Sequence, residues 1–206
     1  MKFTKIILLI SFIVAFTSCA SSYKTINPSN IDYRSKSTDK SVELEYKYEL
    51  LSKKYNKKEL KKGIRLVAVK ITNNSNRDLI FGKDIKLVYD DGTSPYIMEN
   101  EKVYSSLKQS TASYLFYLLL APVRIYHNTT QNGYQTVSNS SFPVGLFLGP
   151  ALAGGNMTVS SSANSKFEKD LLIYNINGKT VKAGESISGL IGVRSDDYIS
   201  MNIKVD

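Results

Sequence analysis

Residues 42–50 read Val-Glu-Leu-Glu-Tyr-Lys-Tyr-Glu-Leu, with apolar and polar side chains alternating throughout. Successive side chains of a β-strand point to opposite faces, so this period of two predicts a strand with one buried face. Residues 64–71, Ile-Arg-Leu-Val-Ala-Val-Lys-Ile, are more uniformly apolar, which is typical of a central strand covered on both faces. The two segments predict the centre of a β-sheet.

Further short strands are predicted on both sides of this centre, separated by turn residues. Asp90-Asp91-Gly92, Asn177-Gly178 and Ala183-Gly184-Glu185 are sequences that favour tight turns. Short strands joined in this way are typical of an antiparallel β-sandwich. The additional predicted strands are 79–81, 85–89, 187–193 and 199–205.

Two parts of the chain resemble a known family. Residues 66–75, Leu-Val-Ala-Val-Lys-Ile-Thr-Asn-Asn-Ser, resemble the start of the telokin-like, immunoglobulin-type domains found on many bacterial lipoproteins. Residues 181–193, which contain Gly184-Glu185 and Gly189, resemble the final hairpin of those domains. The resemblance covers about 42–92 and 176–206. It implies a mainly β fold, an antiparallel immunoglobulin-like β-sandwich, that serves as a binding or spacer module and not as an enzyme.

The first 18 residues have the organisation of a secretory signal peptide. Lys2 and Lys5 precede an apolar run at 6–16, and the small residues Thr17-Ser18 follow it. The run is about 11 residues long, whereas a helix that spans a bilayer needs roughly 20. We therefore predict that 1–18 is an export signal and not a transmembrane helix.

Cys19, the only cysteine of the chain, follows this segment directly. Phe16-Thr17-Ser18-Cys19 resembles the lipobox of bacterial lipoproteins, although Phe16 replaces the usual leucine. The resemblance implies that Cys19 becomes the first mature residue and carries thioether-linked diacylglycerol, usually with an N-acyl chain. Two or more acyl chains anchor a protein stably, whereas one does so only marginally. We predict lipidation of Cys19, a membrane as partner through that lipid, and a location in the bacterial cell envelope, on its periplasmic or surface face.

Between Cys19 and the first predicted strand the chain is polar and rich in serine. Residues 19–41 show no hydrophobic period, so they predict a flexible tether, and residues 42–206 are then the folded domain. Six lysines lie within 53–62 of a chain whose net charge is +9. Such a cluster favours anionic lipid or nucleic acid, but it also occurs in solvated turns. We interpret it as a turn between two strands and predict no nucleic-acid partner.

Residues 93–175 do not fit the sandwich pattern and predict an insertion. Two apolar stretches, at 114–126 and 142–155, are joined by a polar loop at 127–141. The pattern predicts an apolar helical hairpin over 103–172, in which glycines and prolines interrupt the second stretch. Three interpretations stay open: a cover for the sandwich, a shallow membrane insertion, or a surface for an envelope protein partner through residues 114–152.

Residues that would support catalysis or metal binding do not form recognisable sets. His127 is the single histidine, and Cys19 is assigned to the anchor, so neither a catalytic triad nor a zinc site is predicted. We predict no cofactor, no metal and no catalytic residue. The expected function is that of a lipid-anchored, non-enzymatic binding or structural module of the cell envelope. The alternative is a sugar-binding accessory protein or an envelope hydrolase with an unrecognised site.

Overall fold

The computed structural model describes residues 19–131 and 134–206, except for the side chains of 127–140. The predicted signal peptide at 1–18 lies outside the described residues. The chain divides into two compact units. The sheet unit comprises Tyr23–Lys108 and Ala163–Asp206. The apolar unit comprises Gln109–Ser162 and the residues up to Ser22, of which 19–22 are described.

Regular secondary structure covers most of both units. The strands, in chain order, are β1 (Ser35–Asp39), β2 (Val42–Lys47), β3 (Ile64–Asn73), β4 (Leu79–Ile80), β5 (Ile85–Tyr89), β6 (Tyr96–Met98), β7 (Ile125–Gln131), β8 (Tyr134–Phe142), β9 (Thr180–Val181), β10 (Ser186–Arg194) and β11 (Met201–Val205). The α-helices are α1 (Lys53–Lys62), α2 (Asn100–Leu107) and α3 (Val144–Ile173), and 3-10 helices cover Pro28–Asn30 and Thr111–Leu120.

The sheet unit is built on a five-stranded antiparallel sheet in the order β1-β2-β3-β10-β6. Every residue of β3 is buried or half-buried, as expected for a central strand. Its side chains alternate between two hydrophobic clusters, with Val67 and Val69 on one face and Leu66 and Ala68 on the other. The structure thus confirms the prediction of a mainly β, antiparallel fold, and both faces of the sheet are covered.

The first cluster is formed by residues of the five-stranded sheet together with residues of the strand pairs β5–β11 and β4–β9. The glycines at two predicted turns, Gly178 and Gly184, have φ of 72° and 78°, a conformation that favours glycine. Gly178 lies in the turn before β9, and Gly184 lies in the turn between β9 and β10. The buried members of this cluster are Val42, Leu44, Tyr46, Val67, Val69, Ile71, Leu79, Phe81, Ile85, Leu87, Ile176, Val181, Ile191, Val193, Met201, Ile203 and Val205.

The second cluster lies between the opposite face of the sheet and the helices. Tyr55 of α1, Val103 of α2 and Phe167 of α3 pack on this face and are almost fully buried. Gly192 of β10 permits the approach of α2, because a side chain there would overlap Val103. The buried members are Tyr23, Ile26, Leu51, Tyr55, Ile64, Leu66, Ala68, Met98, Val103, Leu107, Ala163, Phe167, Leu171 and Leu190.

The lysine-rich stretch differs from the predicted turn, because it forms helix α1. Lysine and glutamate are good helix formers, and Tyr55 and Glu59, four residues apart, both face the interior. Gly63 ends the helix with φ 58° and ψ 43°, and its N–H bonds the carbonyls of Glu59 and Leu60. The lysines on the other side of α1 face solvent. A sequence that is polar on average therefore forms a helix with one buried face.

The predicted tether also differs from the structure. Tyr23 and Ile26 are buried in the second cluster, and β1 pairs with β2 as the edge strand of the sheet. The Tyr23 hydroxyl donates to Asp170 Oδ2 at 2.9 Å, and the Ile26 N–H donates to the same oxygen at 2.7 Å. Residues 23–39 are therefore part of the sheet unit and not a flexible linker.

The insertion predicted at 93–175 differs from a simple helical hairpin. The segment predicted as a polar loop pairs instead as the antiparallel strands β7 and β8. Helix α3 then continues through Pro150, which cannot donate the helical hydrogen bond to Leu146. Farther along α3, side chains of Asn156 and Thr158 donate to carbonyls four residues earlier, at 2.8 and 2.9 Å. The glycines and the proline that predicted an interruption are therefore accommodated within one helix.

Candidate functional site

Cys19 is exposed at the surface of the apolar unit. The chain that follows it is held by a buried side chain, Gln109. The Ser21 N–H donates to Gln109 Oε1 at 2.9 Å, and Gln109 Nε2 donates to the Ser21 carbonyl at 2.6 Å. The Ala20 N–H also donates to Asn156 Oδ1 of α3. The two residues that follow Cys19 are thus hydrogen-bonded to side chains of the 109–162 segment.

The 3-10 helix Thr111–Leu120 presents most of its apolar side chains to solvent. A 3-10 helix has three residues per turn, so positions 114, 117 and 120 share one side. Tyr114 is buried and Tyr117 and Leu120 are half-buried, whereas Phe116 and Leu119 are each 73% exposed. The geometry therefore hides every third residue and exposes the leucines and phenylalanine between them.

The first turns of α3 pack on this 3-10 helix through glycines. A side chain at Gly145 would overlap the Leu120 carbonyl, and one at Gly149 would press on the Tyr117 carbonyl. The Gly145 N–H also donates to the Val123 carbonyl at 2.9 Å. The contact between the two backbones is therefore made at glycines, and large apolar side chains such as Phe116, Leu119 and Phe147 are exposed.

The base of the β7–β8 hairpin extends the same apolar surface. Ile125 is the cross-strand partner of Phe142, and the Phe142 ring stacks on Phe147 of α3 with centroids 5.6 Å apart. We call the exposed set the apolar surface. Its members are Leu115, Phe116, Leu118, Leu119, Val123, Ile125, Tyr126, Phe142, Leu146, Phe147 and Leu148.

Charge is almost absent from the apolar unit. Of the 27 basic and 18 acidic residues in the chain, Arg124 is the single one within 19–22 and 109–162. Lys2 and Lys5 precede Cys19, and all the others belong to the sheet unit. Globular proteins carry about a quarter of their residues as charged ones, so an exposed segment of this composition is unusual. Arg124 Nη1 bonds Ser141 Oγ at 3.2 Å beside the hairpin base.

No helix among the described residues is long and apolar enough to cross a bilayer. Likewise, the described part of the chain holds no group of three or more histidines, cysteines, aspartates or glutamates suited to a metal ion.

The backbone of His127 lies in β7 and not in a loop, and its side chain is outside the described atoms. Asp91 serves a turn: its carboxylate accepts bonds from Thr93, and these hold the pKa of Asp91 below its usual value.

A concave site of the kind that the alternative function requires lies on the sheet unit. Asn100 Nδ2 donates there to the Leu171 carbonyl at 2.6 Å. Glu101 and Glu168 supply its carboxylates, without a histidine or cysteine beside them. The cavity measures about 260 Å³ and is lined by Asn100, Glu101, Tyr104, Glu168, Leu171 and Leu172.

The structure therefore brings Cys19 together with the segment predicted as the partner or membrane surface. Sequence reasoning overlooked Gln109, because a single polar residue gives no signal of a partner 88 positions away. The lack of charge across 109–162, by contrast, is visible in the sequence. Comparisons with protein families, curated proteins and solved structures found no match to this chain.

Proposed function

We propose that this chain is a lipid-anchored protein of the bacterial cell envelope, attached through Cys19, and that it acts as a non-enzymatic binding or structural module. One observation carries the proposal: exposed Cys19 and the apolar surface belong to the same compact unit. An acyl anchor there would hold that surface close to the bilayer. In this proposal the apolar unit contacts a membrane or an envelope partner, and the sheet unit is the folded body.

Acylation follows from the chemistry of the residue and its position. A thiol just after an export signal is available to a lipid-transfer enzyme before the domain folds, and Cys19 remains exposed afterwards. Multiple acyl chains bury enough methylene groups for stable anchoring, at about 0.8 kcal/mol per buried CH₂. The protein would then stay with the membrane throughout its functional life.

For the sheet unit we propose a telokin-like, immunoglobulin-type β-sandwich. Support comes from the first hydrophobic cluster, in which residues of β2, β3 and β10 pack against residues of β5 and β11. In such sandwiches two sheets enclose a core about 10 Å thick. Helices α1, α2 and the end of α3 would then be additions on the outer face of one sheet.

Metabolic labelling with a palmitate analogue tests the anchor. The wild-type protein should incorporate label and gain the mass of its acyl chains, and Cys19→Ser should lose both. As a matched control, Ser22→Cys in the Cys19→Ser background restores a thiol three residues away and should remain unlabelled. Absence of label from the wild type, or equal label in Cys19→Ser, would contradict the proposal.

A further inference from the structure

We infer that the apolar unit is itself a membrane-docking element, which inserts the apolar surface into the interface of a phospholipid bilayer and so gives a second attachment that does not need the lipid on Cys19. The inference rests on the proposed function for its setting, a protein at a membrane. It goes beyond that function because it assigns membrane affinity to the folded polypeptide itself.

The first argument is the density of exposed apolar side chains on a small structural element. Phe116 and Leu119 of the 3-10 helix are each 73% exposed, and Phe147 of α3 is 63% exposed. The two elements approach each other closely at Gly145 and Gly149, and Phe147 also stacks on Phe142, the cross-strand partner of Ile125. Contiguous apolar surface of this kind marks an interaction site on a soluble domain.

The second argument decides between a lipid and a protein occupant. Protein interfaces are about as apolar as other protein surfaces, and their rims are polar and solvent-accessible. Within 19–22 and 109–162, the apolar unit instead has one charged residue, Arg124, and no acidic residue. An element without carboxylates meets no repulsion from anionic head groups, and a single arginine at its margin favours them. Tyr117 and Tyr126 are also residues that favour the interface, where the ring is apolar and the hydroxyl meets water.

The third argument limits the depth of insertion. The 3-10 helix Thr111–Leu120 rises by about 2.0 Å per residue and so reaches roughly 20 Å, short of the roughly 30 Å of a hydrocarbon core. The unit therefore lies in one leaflet. The Gln109 bonds to Ser21 tie the acylated end of the chain to this same unit, so that the acyl chains and the apolar surface enter the same leaflet.

The test uses residues 19–206 with Cys19→Ser, produced without the leader and therefore without acyl chains. Binding is measured by co-sedimentation with vesicles of phosphatidylcholine and phosphatidylglycerol, at low and high salt. We expect this protein to bind, with weak dependence on salt because apolar burial dominates. Phe116→Ser/Leu119→Ser/Phe147→Ser should bind at least about tenfold more weakly, since each of these side chains contributes substantially when buried.

A matched control removes as many exposed apolar side chains from the sheet unit. Leu60, Leu172 and Ile173 are 51%, 69% and 53% exposed, and their triple replacement by serine should leave vesicle binding unchanged. Circular dichroism verifies that both triple variants are folded. The inference would be overturned if the Cys19→Ser protein failed to bind vesicles, whether or not it self-associated. It would also be overturned if the Phe116→Ser/Leu119→Ser/Phe147→Ser variant bound vesicles as tightly as its parent. Palmitate incorporation by the wild type would still support the lipid anchor in either case.

Discussion

Glu59 is a carboxylate enclosed in the sheet unit, with 0% of the residue exposed. Its Oε1 accepts a 2.6 Å hydrogen bond from the Leu66 N–H, whereas Oε2 has no partner among the described residues. Burial raises the pKa of Glu59 to about 7; the Leu66 bond and the Arg65 guanidinium oppose that shift, and Glu49 adds to it. Arg65 is also buried and lies 4.9 Å from the ring centroid of Tyr198.

The first prediction concerns pH and Glu59. The folded chain holds this proton more tightly than the unfolded chain, whose pKa is near 4.5, so protonation stabilises the fold. This contribution is complete below the unfolded pKa and is lost as pH rises to about 7. The difference between the folded and the unfolded pKa of Glu59 corresponds to a loss of unfolding free energy on the order of 3 kcal/mol across this pH range. Glu59→Gln, which keeps an acceptor for Leu66, should match the wild type at pH 4 and exceed its unfolding free energy at pH 8. Urea denaturation at both pH values measures this, and parallel pH profiles would contradict it.

Tyr23 lies only four positions after Cys19 and is 8% exposed. Its ring is 5.3 Å from the rings of Tyr55 and Phe167, and burial raises the pKa of its hydroxyl, which donates to Asp170. The residue therefore belongs to the hydrophobic core, and the sheet unit begins four residues after Cys19.

The second prediction follows from this burial. Tyr23→Ala should lower the free energy of unfolding by roughly 3 kcal/mol or more, as for other large aromatic truncations in cores. Tyr23→Phe should cost only about 1 kcal/mol, because it removes one hydrogen bond. Tyr96→Ala is the control, since Tyr96 is 60% exposed. Denaturant melts measure all three, and an unchanged stability of Tyr23→Ala would restore the interpretation of a tether.

At the scale of elements, the contact between α3 and the 3-10 helix depends on glycine at defined positions. Gly145 meets the Leu120 carbonyl, whereas no atom lies within 4 Å of a side chain built at Gly154. Both glycines are in the same helix. The difference between them arises from packing and not from helix propensity.

The third prediction applies the same substitution at both sites. Gly154→Ala should stabilise the protein by about 0.5–1 kcal/mol, the gain in helix propensity. Gly145→Ala should instead destabilise it, because the new methyl group overlaps the backbone. Hydrogen exchange of amides in 109–162 should become faster for Gly145→Ala and not for Gly154→Ala. Equal shifts for the two variants would mean that the contact is not maintained in solution.

At the scale of the whole molecule, the two hydrophobic clusters belong to one unit. Every described member of both clusters lies within Tyr23–Lys108 or Ala163–Asp206. The sheet unit thus contains its own core on both faces of the five-stranded sheet. No described residue of the apolar unit is a buried member of either cluster.

The fourth prediction tests this independence. Replacing residues 109–162 with a flexible glycine-serine linker of about ten residues should leave a protein that unfolds in one cooperative transition. Its thermal midpoint, measured by circular dichroism, should lie close to that of the parent. A chain that fails to fold would mean that the apolar unit supplies core, and it would weaken the assignment of that unit to a membrane.

Most of the antiparallel strands within 42–89 and 187–205, and the turns at Gly92, Gly178 and Gly184, could be predicted from sequence, because a period of two and turn chemistry are local properties. The tertiary structure alone decided that the lysine-rich stretch is a helix, that α3 continues through Pro150, and that Tyr23 is core. It also decided that Gln109 holds Ser21. The reason is physical: burial depends on what covers a side chain, and Tyr23 is covered by residues such as Asp170, 147 positions away, which no local pattern records.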